Sequence, residues 1–374
     1  MQEGGLGAPT RHPIDWQNPD FYDADAIDAE LRRVFDICHG CRLCFNLCDS
    51  FPRLFDLIDE SDSGELDTVD SADFKPVVDA CTLCDICFLA TCPYTPPHEF
   101  NLDFPHLMLR YRAAEHKAGK TGFWDKQLSA TDRNGKLAGI APGLANWGSK
   151  RDNGMTRGML ENIAGVDTRA ELPKYTGTPF TKRGSEGAAV AGDAPAAGRQ
   201  AVLYATCFVN YNNPDIGTAI QKILNANGVA TEIAYPECCG MPQMEQGNVE
   251  RVADKAAAVA AALKPYVEKG YDVISLVPSC TLMLKFEWPL IDPDNADLKK
   301  LAEATFDVSE YVVDIAKREG LTDGMEPLEG PVSMHLACHA RAQNMGAKGA
   351  EMLRLIPKTR VAIVERCSGH GGSW

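Results

Sequence analysis

Eight cysteines between Cys38 and Cys92 constrain this chain more than any other feature. They fall in two runs, Cys38, Cys41, Cys44 and Cys48, then Cys81, Cys84, Cys87 and Cys92. Each run reads C-x-x-C-x-x-C with a fourth cysteine four or five residues on, and Pro93 closes the second. Thiolates at this spacing hold three corners of a 4Fe–4S cube, and the fourth cysteine of each run serves the other cube. The spacing therefore assigns one cluster to Cys38, Cys41, Cys44 and Cys92, and the other to Cys81, Cys84, Cys87 and Cys48. Two competing readings are zinc sites and a disulfide framework. Zinc favours paired C-x-x-C motifs over triplets with a distant fourth ligand, and disulfide frameworks belong to short secreted chains.

The chain around these runs has 374 residues, 45% of them hydrophobic, enough for two or three domains with at least one sizeable core. A net charge of −15 with no basic stripe argues against a nucleic-acid partner. Met1–His12 has no apolar segment of the signal-peptide kind, and the longest apolar stretch, Ala256–Leu263, is too short to span a bilayer. Fourteen cysteines in such a chain fit metal ligation in a reducing cytoplasm, with any peripheral membrane position reached through a partner.

Read in order, the chain divides into six stretches. Residues 1–36 are a polar arm leading into a helix over Asp23–Phe35, where Ile27, Leu31, Val34 and Phe35 fall near helical spacing. Residues 37–118 hold the two cysteine runs, flanked by short helical pieces with no strand alternation, and end in a helix from about Phe104 to Ala118 that has Pro105 in its first turn. This is the pattern of an α-helical ferredoxin module with two 4Fe–4S sites. Between the runs, Asp49–Lys75 carries nine Asp or Glu residues, either a solvated face or a docking surface for an electron donor. Residues 119–175 are a helical connector, with Trp124 and Trp147 expected to pack or, alternatively, to meet a quinone or partner. Residues 176–199, rich in Gly, Ala, Thr and Pro, read as a flexible linker.

From residue 200 the pattern alternates strand and helix, the signature of an α/β domain with a mostly parallel sheet. Strands are expected at Ala201–Thr206, Val229–Tyr235, Tyr271–Val277, Val332–Leu336 and Val361–Val364, and helices at Pro214–Asn227, Val249–Glu268, Leu298–Ala302, Glu310–Arg318 and Ala350–Leu355. Cysteines follow the strands: Cys207 after the first, Cys238 and Cys239 in a C-C-G motif after the second, and Cys280 after the third. Ligands of open α/β sheets gather at the carboxyl ends of strands, so these four thiols are expected to converge on one further cluster. A second copy follows. AVLYATC at Cys207 matches VSMHLAC at Cys338, and ECCG at Cys238 and Cys239 matches RCSG, with Cys367 and Ser368. Residues 200–330 are thus a first repeat and residues 331–374 a second, incomplete one that keeps Cys338 and Cys367 as candidate ligands. A natural chain longer than this one is expected, because the second copy lacks a strand and helix that the first uses.

These motifs resemble the iron–sulfur subunit of anaerobic glycerol-3-phosphate dehydrogenase, the related iron–sulfur subunits of glycolate and lactate oxidases, and two subunits of heterodisulfide reductase fused in one chain. The matching segments are ATCFVNYNNPDIG around Cys207, ECCGMP around Cys238 and Cys239, and PSCTLMLKFEWP around Cys280. The resemblance implies an electron-transfer subunit of an oxidoreductase complex. It would work beside a flavoprotein dehydrogenase, passing electrons through two 4Fe–4S clusters and a C-C-G domain cluster towards quinone or another acceptor. Two departures speak against disulfide-reducing chemistry of the heterodisulfide type, the alternative function: Met283 stands where the family has the last cysteine of C-x-x-C, and Ser368 replaces another. A redox-sensing scaffold is a third reading. His39, His335, His339 and His370 lie near cysteines in sequence, as loop and helix-start residues or as proton donors at an acceptor site. No Walker motif or dinucleotide fingerprint appears, so no flavin or nicotinamide is expected on this chain.

Overall fold

The computed structural model describes residues 9–183 and 189–366. Its first half is helical. Asp23, whose side chain accepts from the Ala26 N–H, starts α1 (Ala24–Cys41), and Ile27, Leu31, Val34 and Phe35 make its buried stripe. The helix does not stop at Phe35 but runs through Cys38 to Cys41, ending where Arg42 enters the left-handed region. Helix α2 (Ser50–Asp59) buries Phe51, Leu54, Phe55 and Ile58 against it. Helix α3 (Phe104–Lys117) is capped by Asp103 and buries Leu107, Met108, Leu109 and Ala113. Four shorter helices follow, α4 (Phe123–Leu128), α5 (Thr131–Ile140), α6 (Pro142–Ser149) and α7 (Gly154–Ala164).

The second half is an α/β layer. Strands β1 (Gln200–Tyr204), β2 (Ala230–Ala234), β3 (Asp272–Ser275) and β4 (Thr305–Asp307) form one sheet in the order β2-β1-β3-β4, every neighbour parallel. Helix α8 (Pro214–Ala226) lies between β1 and β2, α9 (Val249–Glu268) between β2 and β3, α10 (Ala296–Ala304) before β4, and α11 (Val308–Arg318) after it. Strand β4 is absent from the expected elements, because its three residues are too few to show alternation. A separate parallel pair, β5 (Val332–His335) and β6 (Val361–Val364), flanks α12 (Lys348–Arg354).

The period-2 geometry of β1 divides the core. Val202 and Tyr204 face one side and Ala201 and Leu203 the other. On the first side, α9 presents Val252, Ala256, Val259 and Leu263 at i, i+4, i+7 and i+11, all buried. This core continues without a break into α1, α2 and α3 of the helical half. On the other side lie Ile274, Tyr311, Ile315 and Phe180. Phe180 belongs to the stretch 176–199. It is fully buried against Gly217, where an added Cβ would come within 2.7 Å of its ring.

Two features draw the halves together. Gly247 has φ +77°, and a Cβ there would stand 2.3 Å from the Arg112 backbone of α3, so only glycine permits this approach. The N-terminal arm crosses the α/β half, with the Ile14 N–H donating to the Leu290 carbonyl (2.8 Å) and Trp16 Nε1 to the Ile291 carbonyl (2.9 Å).

Candidate metal centres

The last turn of α1 places Cys38 and Cys41 three residues apart on one helix face. Arg42 then turns the chain in a left-handed conformation, φ 54°, its N–H donating to the Cys38 carbonyl, and the loop beyond carries Cys44. Cys92 arrives from the other run, where its N–H closes the short helix Cys87–Thr91 on the Cys87 carbonyl (2.8 Å). Cys38, Cys41, Cys44 and Cys92 line one cavity, of about 280 Å³ empty volume, with Leu43, Phe51, Tyr94 and Leu102 as apolar wall. Burial, then the neighbouring Cys92 and Cys41, pushes the Cys44 thiol up to about 12; Cys38 is raised for the same reasons.

The second run needs two left-handed residues, Leu83 (φ 47°) and Asp85 (φ 61°), alternating with its cysteines. Non-glycine residues in this region cost about 1 kcal/mol or more each, a strain met most often at functional sites. Cys81, Cys84, Cys87 and Cys48 line a second cavity, of about 660 Å³ counted to its open mouth. Phe51 forms part of both cavities, so the two thiol groups are neighbours across one side chain. Burial pushes Cys81 up to about 12, against the pull of the Arg112 guanidinium. Arg112 also donates to the Val78 and Cys81 carbonyls and, across the junction, to the Glu245 carbonyl.

In the α/β half, the thiols past β1, β2 and β3 converge. Cys238 Sγ lies 3.8 Å from Cys207 Sγ, and Cys239 Sγ 3.2 Å from Cys280 Sγ. Gly240, φ +89°, turns the C-C-G segment, and the Trp288 indole N–H donates to the Cys239 carbonyl (3.1 Å). Hydrogen bonds from the Cys207 and Cys239 thiols hold Cys238 well below the usual thiol range. Around them stands a polar shell. The Asp132 carboxylate at the start of α5 accepts from the Cys238 N–H (2.9 Å), the Tyr235 hydroxyl and buried Lys255 (3.3 Å). Lys255 also donates to Glu237 (2.8 Å), and the Tyr204 hydroxyl donates to the Glu237 carbonyl (2.6 Å).

Among the described residues, no three His, Cys, Asp or Glu side chains close on one metal-ion position, and no disulfide joins the cysteines. In the helical half the sulfurs stand instead around cavities, four thiols of each assigned set to a cavity, the first with an apolar wall and the second with a mixed wall that includes Asp85, Arg341 and Arg366. That donor set and space fit an inorganic cluster of iron and sulfide, which soft thiolates bind. In the α/β half the four thiols supply the same soft donor type, touching one another in pairs.

Of the remaining predicted residues, Cys338 lies in the wall of the second cavity, while Cys367 and His370 fall outside the described residues. His39 pairs with Asp59 (2.9 Å), His335 with the Arg366 carbonyl (2.7 Å) and His339 Nδ1 with Ser279 Oγ (2.7 Å), next to Cys280.

Nothing in the sequence announces the charge network at the junction. Arg11, in the arm read as polar, is largely buried and makes a fork to both oxygens of Asp85 (2.8 Å each), while also donating to Asp103 (2.8 Å) and Glu287 (2.9 Å). His106 donates to Glu287 (3.1 Å). Asp85 sits between Cys84 and Cys87, and Glu287 two turns beyond Cys280, so this network bridges the second cavity and the α/β thiols. Burial pushes the Asp85 carboxyl up to about 6 despite Arg11, whereas Arg11 and His106 overcome burial and hold Asp103 at about 2.

With this geometry in view, comparison with known proteins bears on the α/β half. The family model of the cysteine-rich CCG domain matches residues 201–285, the stretch that carries Cys207, Cys238, Cys239 and Cys280. Residues 201–285 are a CCG domain. The chain is also similar to the C subunit of anaerobic glycerol-3-phosphate dehydrogenase from Escherichia coli K12, 28% identical over 251 residues, covering 66% of this chain and 61% of that one. It is 28% identical over 187 residues to lactate utilization protein A of Geobacillus kaustophilus and 29% to that of Bacillus cytotoxicus, covering in each case 46% of this chain and 72% of the relative. The chain thus spans about three fifths of the length of its glycerol-3-phosphate dehydrogenase relative. No solved structure matches it significantly. The relatives agree with the resemblance drawn from the cysteine motifs, and the CCG domain with the expected α/β half.

Proposed function

We propose that this protein relays electrons between a partner flavoprotein dehydrogenase and an acceptor. Its route runs through a cluster at Cys38, Cys41, Cys44 and Cys92, a second at Cys81, Cys84, Cys87 and Cys48, and a centre in the CCG domain. One observation carries the reading: cysteines of all three thiol groups belong to, or pack on, a single continuous apolar core. Phe51 separates the first two cavities, and the Arg11 and Arg112 contacts tie the second to the CCG domain, which gives the relay an order. Bound clusters would supply one-electron chemistry. The chain's own groups would bury them, and Lys255 and Arg112 would place positive charge beside thiolates that carry negative charge. The relatives' names, a dehydrogenase subunit and a lactate utilization protein, support a dehydrogenase partner.

Reconstituted with iron and sulfide under anaerobic conditions and titrated with dithionite, the protein should give two cubane EPR signals and a third species. Iron and sulfide amounting to one cluster or less would overturn the relay. A signal appearing only when thiol is added to oxidised protein would favour the heterodisulfide alternative instead.

The acceptor side of the relay is a membrane surface. No helix among the described residues is long and apolar enough to cross a bilayer. Helices α5 to α7 nevertheless expose Leu137, Ile140, Leu144, Trp147, Met155 and Met159, Ile140 to 80%; Trp147 and Trp124, expected to pack, are both exposed instead. In the same stretch of sequence Lys126, Arg133, Lys136, Lys150 and Arg151 stand with Asp125, Asp132, Asp152 and Glu161, Lys150 pairing with Asp152 (3.4 Å), a slight basic excess in a chain that is acidic as a whole. An exposed apolar face with basic flanks fits an anionic bilayer surface, where a quinone would be met. Vesicles containing phosphatidylglycerol should float the protein, and Ile140→Glu with Trp147→Glu should weaken binding by at least about tenfold, the equivalent of 1.4 kcal/mol. Equal flotation of the variant would exclude this face.

A further inference from the structure

The first cavity lies under an apolar surface patch. All four of its cysteines are partly exposed, whereas Cys81 and Cys87 of the second set and Cys238, Cys239 and Cys280 of the CCG domain are buried. Leu43 and Phe45 flank Cys44 and are 61% and 51% exposed. Leu43 also lines the cavity, so its side chain is shared between the thiols and solvent. Phe45 is held outward: its N–H donates to the Arg42 carbonyl (3.2 Å), and its ring stacks on buried Phe55 of α2 (centroids 6.3 Å apart). Phe100, exposed as well, meets Tyr94 of the cavity wall (5.3 Å). Carboxylates rim this patch. Asp59 pairs with Arg42 (2.5 Å), next to Leu43, and Asp56 follows Phe55 on α2. All nine Asp and Glu residues between Asp49 and Lys75 are exposed. The two basic residues of that stretch are already paired, Arg53 with Asp49 (2.5 Å) and Lys75 with Asp79 (3.1 Å) and Glu115 (2.9 Å).

We propose that this patch is where the protein electron donor docks, and that the donor's face is an apolar centre ringed by lysine and arginine. The inference rests on the relay reading and names its point of entry. Exposed apolar side chains scattered singly are ordinary on a protein surface. Two that flank one candidate ligand, one of them braced on a buried ring, form a contact surface. A donor must come close to the centre it serves, and the first thiol group is the least buried of the three. The carboxylate rim selects the occupant. Opposite charge steers a basic partner in and fixes its orientation, and like charge turns away an anionic bilayer. Donor and acceptor thus meet the chain on different faces, this one acidic and that of α5 to α7 with a slight basic excess.

The test uses the full chain, reconstituted anaerobically and oxidised, with ferricytochrome c as the probe, a basic protein whose haem edge is ringed by lysines. Affinity is measured by titration calorimetry at low and at physiological ionic strength. Carbodiimide cross-links between carboxylates and probe lysines are mapped by mass spectrometry. Cross-links should concentrate on Asp49, Asp56, Asp59 and Glu60, and affinity should fall as salt is added. Phe45→Ser and Asp56→Lys should each weaken binding, together by at least about tenfold. Both variants should keep the two cubane EPR signals, since neither side chain lines a thiol cavity. Glu326→Lys, the same change of charge on the α/β half, should bind as the wild type does. Equal losses in Asp56→Lys and Glu326→Lys, cross-links spread over the chain, or no binding at low ionic strength overturn the docking surface and leave the relay standing. So does loss of vesicle flotation in Phe45→Ser, which would make this a lipid face. Binding here by a protein that takes up no first-run cluster overturns the relay reading and the entry role with it.

Discussion

Arg11→Ala should destabilise the folded protein by about 3–5 kcal/mol, the cost of removing one partner from a buried ion pair. The guanidinium is the one group that Asp85, Asp103 and Glu287 all share, and its side chain is only 11% exposed. Without it, three carboxylates face each other in a low-dielectric junction, with the His106 imidazole left as a hydrogen-bond partner of Glu287. The penalty falls on the contact between halves, because Asp85 and Asp103 belong to the helical half and Glu287 to the α/β half. Arg11 also lies over the Phe88 ring, 4.7 Å from its centroid, so the substitution removes packing as well as charge. Urea denaturation followed by circular dichroism would measure the effect. The double variant Arg11→Met with Glu287→Gln supplies an internal control: it removes one carboxylate with the guanidinium and should recover part of the loss. A loss below about 1 kcal/mol in Arg11→Ala, the range of exposed pairs, would mean that water reaches the network.

That network also marks the limit of what the sequence discloses. The cysteine spacing made the thiol groups legible, because ligand geometry constrains spacing directly. Helix α9 was legible to the residue, since its apolar stripe runs for five turns between Asn248 and Gly270. Arg11 and Glu287 are 276 positions apart, and nothing local in either segment announces the other. Asp132 was hidden for the same reason: it lies in a connector of mixed pattern, and its role depends on reaching the Cys238 N–H from 106 positions away. The stretch 176–199 shows the converse. Its composition argues against a core of its own, yet Phe180 fills a space that Gly217 leaves on α8. Local pattern reports what a segment can do alone; a single aromatic docking elsewhere does not register in it. Cys338 combines both cases, being visible as a repeat residue while its place in the wall of the second cavity was not.

Cys92→Ser should abolish the cluster of the first run and leave that of the second largely intact. The argument is geometric. Cys92 follows Cys87 in the chain and would be taken for the fourth ligand of its own run if sequence proximity decided. The short helix Cys87–Thr91 instead turns the chain so that Cys92 lines the cavity of Cys38, Cys41 and Cys44, together with Pro93 and Tyr94. Cys48 makes the reciprocal crossing into the cavity of Cys81, Cys84 and Cys87. Serine keeps the size of the side chain, but its hydroxyl is a harder and far weaker acid than a thiol and holds iron poorly at neutral pH. Cys48→Ser should therefore remove the other signal. Iron and sulfide analysis with EPR of each reduced variant decides the matter, the first-run signal being identified by its loss in Cys41→Ser. If Cys92→Ser removes the second-run signal and Cys48→Ser the first, each run binds its own cube and the crossed assignment is wrong. If each variant loses both signals, the clusters assemble only together, which the shared Phe51 wall would explain, and the ligand assignment would then be decided from the crossed pair of cysteine-to-alanine variants rescued with external thiolate.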